Sequence, residues 1–141
     1  MFVFKKIFAV LMVAGFLLTA CGGQRSSAPV EVQITLTEFT IVSSLTDFEV
    51  GVPYHFVVTN AGTVEHEFMI MPPLAKADMG MGMGSLDDKA LAMIAGSDLP
   101  AGATASFDYT FTETASAGTL EFACHTPGHY EANMKLPINV Q

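Results

Sequence analysis

Basic residues are scarce in this chain. Six lysines and arginines stand against fourteen aspartates and glutamates, giving a formal charge of −8 at pH 7. That balance argues against nucleic acid or anionic lipid as partners and favours a basic one. Cysteine is nearly absent, with two residues among 141, and the settings of Cys21 and Cys124 differ so much that no disulfide between them is expected. Histidine occurs only four times, too few for chemistry that needs several imidazole-rich centres. There is no internal repeat and no long low-complexity tract. One apolar run, Ile7 to Leu18, stands out, and it is too short for a comfortable membrane span.

That run follows Lys5 and Lys6 and leads into small residues before Cys21, the layout of a secretory signal peptide. The alternative is an uncleaved anchor helix. "LTAC" (Leu18 to Cys21) resembles the lipobox of bacterial lipoproteins, which implies that Cys21 heads the mature chain, carries lipid and holds the protein to a membrane outside the cytoplasm. The division expected is a signal peptide over 1–20, a flexible tether over 21–29 of Gly/Ser/Pro-rich composition, and one domain over 30–141. About 120 residues suffice for one core and not for two. Loss of Lys5 and Lys6 would leave a mature charge of −10.

Apolar and polar residues alternate through most of the domain. Val30, Val32, Ile34 and Leu36 share one face, and Phe39 and Ile41 take the other phase, which suggests a bulge or bend near Thr37 and Glu38. "DFEV", "YHFVVTN" and "VEHEFMIM" follow as strands separated by turn signals. Residues 72–98 break the rhythm. After the Gly/Met run containing Met79, Met81 and Met83, the spacing of Leu86, Ala90, Leu91 and Ile94 predicts a short helix, with Ser85 as N-cap and Asp87 and Asp88 in its first turn. "ATASFDYTFTE", "AGTLEFAC" and "MKLPINV" complete the set, and Pro137 belongs at a bulge or an unpaired edge. Seven to eight short strands with one helical insertion read as an all-β, Greek-key β-sandwich.

The chemistry is concentrated in "CHTPGHYEANM". Cys124, His129 and Met134 lie five residues apart between two strands, and Pro127 and Gly128 let the loop turn tightly. A thiolate, two imidazoles and a thioether make a soft donor set, the one that holds electron-transfer copper. The second imidazole must come from elsewhere: His66 is the leading candidate, with His55 as its alternative. His125, next to Cys124, is expected to point away, at the surface or behind the ligands. A Cys–His hydrolase lacks a third orienting residue and a marked pocket. Structural zinc would call for more thiolate or imidazole and no methionine.

The pattern C-x-x-x-x-H-x-x-x-x-M with an upstream histidine in a β-sandwich resembles the cupredoxin family, in particular its longer-loop members of the auracyanin and rusticyanin kind. The resemblance covers Val30 to Gln141. It implies one type 1 copper, with His66, Cys124 and His129 as equatorial ligands and Met134 as the axial one, and a one-electron carrier rather than an enzyme. Multicopper oxidases and binuclear copper sites need more ligands than the chain supplies. Many cupredoxins place an asparagine after the first histidine to brace the cysteine loop, whereas this chain has Glu67. The implied partner is a basic redox protein such as a c-type cytochrome or a respiratory complex, with no small-molecule substrate. The alternative is a protein for copper resistance or delivery, for which Met79, Met81 and Met83 would be either a second copper-loading site or an adaptable docking patch.

Overall fold

The structure is a computed structural model that describes residues 28–78 and 83–141. The expected signal peptide, Cys21, most of the tether and Met79 and Met81 lie outside those residues. Two sheets face one another. The first has strand order β2-β1-β4-β7, built from β1 (Val30–Thr37), β2 (Thr40–Ser43), β4 (Pro53–Asn60) and β7 (Thr104–Thr110). The second has order β3-β9-β8-β5-β6, built from β3 (Asp47–Phe48), β9 (Lys135–Val140), β8 (Ala115–Ala123), β5 (Phe68–Met71) and β6 (Ala92–Ile94). Both are mixed: β1 runs parallel to β4 and β3 parallel to β9, while the other pairs are antiparallel. The architecture is an all-β, Greek-key sandwich. Among the described residues no helix is long and apolar enough to cross a membrane.

Alternation in the sequence becomes alternation of burial. Val32, Ile34 and Leu36 of β1 and Tyr54, Phe56 and Val58 of β4 are buried while their neighbours are not. Their partners across the sandwich are aromatic: Phe56 lies 5.9 Å from Phe122 and 6.4 Å from Phe68 between ring centroids, and Phe48 lies 5.0 Å from Phe111. Strand β5 departs from the pattern, for all four of its residues are buried. Its outer face, Met69 and Met71, packs with Ala123 and Tyr130 beneath Leu74, Ala90 and Met93. Leu74 and Ala90 therefore cover this sheet with a second, smaller apolar layer.

The structure corrects three local expectations. The phase change after Leu36 is a hairpin: Thr37 pairs with Thr40, and Glu38 and Phe39 form the turn, with Phe39 at φ 62°. The helix, α1, covers only Met83–Asp87, so Ser85 lies inside it rather than capping it and Asp87 closes it. Residues 92–94, expected within it with Ile94 on its apolar face, instead pair with the open edge of β5, Ile70 opposite Ala92 and Phe68 opposite Ile94. A helix of one or two turns is marginal in water, and sheet hydrogen bonds plus burial of Ile94 outweigh it. Among the described residues the strand count is nine, because Asp47–Phe48 and Ala92–Ile94 are short strands of their own. Pro137 does sit where its missing N–H is tolerable, since β3 reaches only Asn139 and Val140 of β9.

Candidate metal centre

His66 lies in the loop between β4 and β5, and a single buried side chain shapes that loop. Asn60, the last residue of β4, donates from Nδ2 to the carbonyls of Val64 (2.7 Å) and Leu99 (2.8 Å) and accepts the Gly62 amide at Oδ1 (2.9 Å). The His66 amide in turn donates to the Leu99 carbonyl at 3.2 Å. These bonds satisfy polar groups that the loop would otherwise bury unpaired.

The second segment runs from Cys124, just past β8, to Met134, just before β9. It closes on itself: the Cys124 amide donates to the Met134 carbonyl (3.2 Å), the Met134 amide to the His129 carbonyl (2.9 Å), and the His129 amide to the Thr126 carbonyl (2.9 Å). Gly128 at φ 84° and Asn133 at φ 71° occupy the left-handed positions that these tight turns require. Met134 is fully buried, and its backbone is bonded to both Cys124 and His129.

The two segments meet at three atoms. His66 Nδ1 lies 3.2 Å from His129 Nδ1 and 3.8 Å from Cys124 Sγ, and Cys124 Sγ lies 3.5 Å from His129 Nδ1. A point equidistant from all three falls about 2 Å from each, which is the length of a bond from a transition metal to an imidazole nitrogen. All three side chains are buried. No other set of three or more His, Cys, Asp or Glu side chains among the described residues converges in this way.

Electrostatics support a metal more than a nucleophile. Burial pushes the Cys124 thiol up, against opposing hydrogen bonds shared with Thr126 and with the Glu67 backbone. A sealed thiol of this kind is a poor base-activated nucleophile, whereas a coordinated cation deprotonates a thiol outright. Burial also holds His66 below the usual imidazole range, helped by the neighbouring His129, so that the ring stays neutral and one nitrogen keeps the lone pair a ligand needs.

The other sequence candidates separate cleanly. His55 stands on β4 and pairs at the surface with Asp108, 2.6 Å away. His125 does turn away from the cluster, but it is buried rather than superficial, edge-on to Tyr130 with ring centroids 4.8 Å apart. Glu67 gives no brace through Oε2, which is buried without a hydrogen-bond partner. Burial, reinforced by Asp87 and Glu65, pushes Glu67 up to about 7. Three further contributors went unnoticed in the sequence: Asn60, Phe39, whose ring meets His129 edge-on, and Tyr130, which donates to the buried Glu121 at 2.5 Å and accepts the Leu74 amide at 3.1 Å. Only Tyr130, inside the ligand loop, had a sequence signal that could have exposed it.

No family model matches the chain. Among curated proteins it is similar to the copper-resistant cuproprotein CopI of Rubrivivax gelatinosus, 34% identical over 84 residues. That match takes in 60% of this chain and 49% of CopI, so the chain spans about half the length of that relative. Among solved structures it resembles auracyanin A from Chloroflexus aurantiacus, a "blue" copper protein, with TM-score 0.58, 19% identity and coverage of 81% of this chain and 100% of that one. It also resembles rusticyanin from Thiobacillus ferrooxidans, with TM-score 0.56, 19% identity and coverage of 81% and 79%. The chain has the cupredoxin fold. In this instance of the cupredoxin fold, the His66 loop and the 124–134 loop supply the convergent donors, and Leu74 and Ala90 lie against the outer face of β5.

Proposed function

We propose that the chain is a one-copper, one-electron carrier. The observation that carries this reading is the buried triangle of His66 Nδ1, His129 Nδ1 and Cys124 Sγ, a donor set suited to type 1 copper. Copper held there supplies a couple between Cu(I) and Cu(II). The protein's part is to fix the donors: the Asn60-braced loop holds His66, the closed 124–134 loop holds Cys124 and His129, and burial excludes water. Met134, buried and bonded through its backbone to Cys124 and His129, would supply the fourth donor. His129, 8% exposed, is the ligand nearest the surface and hence the exit toward a partner.

The test is an absorption spectrum of the protein loaded with one equivalent of Cu(II). An intense thiolate-to-copper charge-transfer band is expected, and Cys124→Ser should abolish it while leaving the β-sheet circular dichroism intact. Weak d–d bands alone from the wild type would defeat the assignment.

The acidic composition suits a basic redox partner, such as a c-type cytochrome or a respiratory complex, and no small-molecule substrate is involved. An extracytoplasmic place, with lipid on Cys21 as the anchor, follows from the lipobox-like "LTAC"; Cys21→Ser protein should leave the membrane fraction, since two or three acyl chains hold firmly and none does not. The likeness to CopI favours a second reading, copper handling for resistance. Copper that passes one way to a thiol-rich acceptor, with transfer blocked by deleting Met79 to Met83, would establish that reading over the carrier.

A further inference from the structure

The β1–β2 turn sends one side chain to the back of each imidazole. Phe39 meets His129 edge-on, with ring centroids 5.3 Å apart at 76°. Glu38 reaches toward His66. A Cβ built on Gly62 would come within 2.8 Å of His66 Nε2, 3.0 Å of Glu38 Oε1 and 3.2 Å of Asn60 Oδ1. The three polar atoms thus ring one small space that glycine leaves open, and Nε2 and Oε1, flanking the same point, are under about 6 Å apart.

Neither turn residue is placed casually. Glu38 Oε1 accepts both the amide (2.5 Å) and the hydroxyl (2.7 Å) of Thr63, bonds that pull its carboxyl down to about 2 and keep it charged. Phe39 holds φ 62°, an unfavourable conformation for a bulky residue, which persists only where the surroundings impose it. His66 Nε2 is buried without a hydrogen-bond partner. This is the nitrogen that carries the proton when the other one faces a metal, and outer groups ordinarily select that tautomer.

We propose that the Glu38–Phe39 turn is the positioning element for both histidines. Across the space over Gly62, the Glu38 carboxylate favours the His66 tautomer with its proton on Nε2, which aims the Nδ1 lone pair at Cys124 and His129. Phe39 walls the His129 ring so that its Nδ1 stays in the same triangle. The inference rests on the metal-centre reading and deepens it.

Glu38→Gln is the main variant, because the amide oxygen can still accept from Thr63 while the charge is gone. In metal-free protein, nitrogen-15 spectra of the His66 ring should show the Nε2–H tautomer in the wild type and about a threefold rise in the other tautomer's share in Glu38→Gln, with Glu38→Asp restoring the wild-type ratio. Loaded with Cu(II), Glu38→Gln should have a higher midpoint potential, since the lost negative charge favoured the oxidised ion. Phe39→Asn gives a separate check: asparagine tolerates positive φ, so the melting temperature should hold or rise while the His129 ring becomes more mobile by nuclear relaxation. An unchanged tautomer ratio and potential in Glu38→Gln, or a His129 ring in Phe39→Asn as ordered as in wild type, would overturn the proposal. Because the tautomer is read without metal, a wild type lacking the charge-transfer band sinks the copper reading by itself and is not confused with failure at Glu38.

Discussion

Asn60 shows how one side chain can build a ligand loop. It serves two carbonyls and one amide at once, and Asn60→Ala would leave the Val64 carbonyl and the Gly62 amide without this partner and the Leu99 carbonyl with the His66 amide alone. A loss of about 2–3 kcal/mol in urea unfolding is expected, with weaker copper retention because His66 loses its support. Glu121 offers a pH-dependent counterpart. Burial raises its carboxyl despite the Tyr130 hydroxyl and the nearby Lys135. A carboxyl whose folded value is raised binds its proton more tightly folded than unfolded. Its contribution is therefore complete below the ordinary carboxylate range and is lost as pH rises through the folded value. Measured relative to Glu121→Gln, thermal melts of metal-free wild-type protein should accordingly lose stability from acid toward neutral pH. An unaltered slope in the variant would remove Glu121 from the account.

At the scale of elements, much was legible because each strand that packs on one face writes a period of two. β1, β4 and β7 follow it directly. What failed is equally physical. Ala92–Ile94 carries residues that suit a helix as well as a strand, and only the vacant edge of β5, which no local pattern reveals, decides between them. The hairpin at Glu38–Phe39 was missed because neither residue is a favoured former of tight turns. The meeting of Cys124 and His129 was legible since cysteine, histidine and methionine at loop spacing are chemically specific. Glu38 and Gly62, twenty-four positions apart, meet only through the fold. The insertion over β5 yields its own prediction. Tyr130→Phe removes the bond to Leu74 and leaves Glu121 without its donor, so a cost of about 1–3 kcal/mol and faster proteolysis near Leu74 are expected.

The whole molecule is held chiefly by its aromatic centre and coloured by its charge. Phe56 touches Phe48, Phe68, Phe107 and Phe122. Phe56→Ala should cost about 3–5 kcal/mol by denaturant titration, the range for emptying a large core site. The net charge of −8 bears on kinetics instead: if the chain is the carrier proposed above, stopped-flow electron exchange with a basic cytochrome should slow as salt rises from low to physiological strength. A rate indifferent to salt, with copper retained, would count against electrostatic steering by this surface.

The triangle has a consequence in the language of polymers. His66 and Cys124 stand 58 positions apart, so an ion that binds both is a cross-link across nearly half the chain. Closing a loop of that length in the unfolded ensemble removes configurational entropy equivalent to about 4 kcal/mol if the link survives unfolding, much as a disulfide would. If the link breaks, binding energy itself opposes unfolding. By either route the bound ion is a removable staple, and the β5, β6, β7 and β8 strands between its two anchors are the part of the protein whose stability should respond most to stripping it away with a chelator.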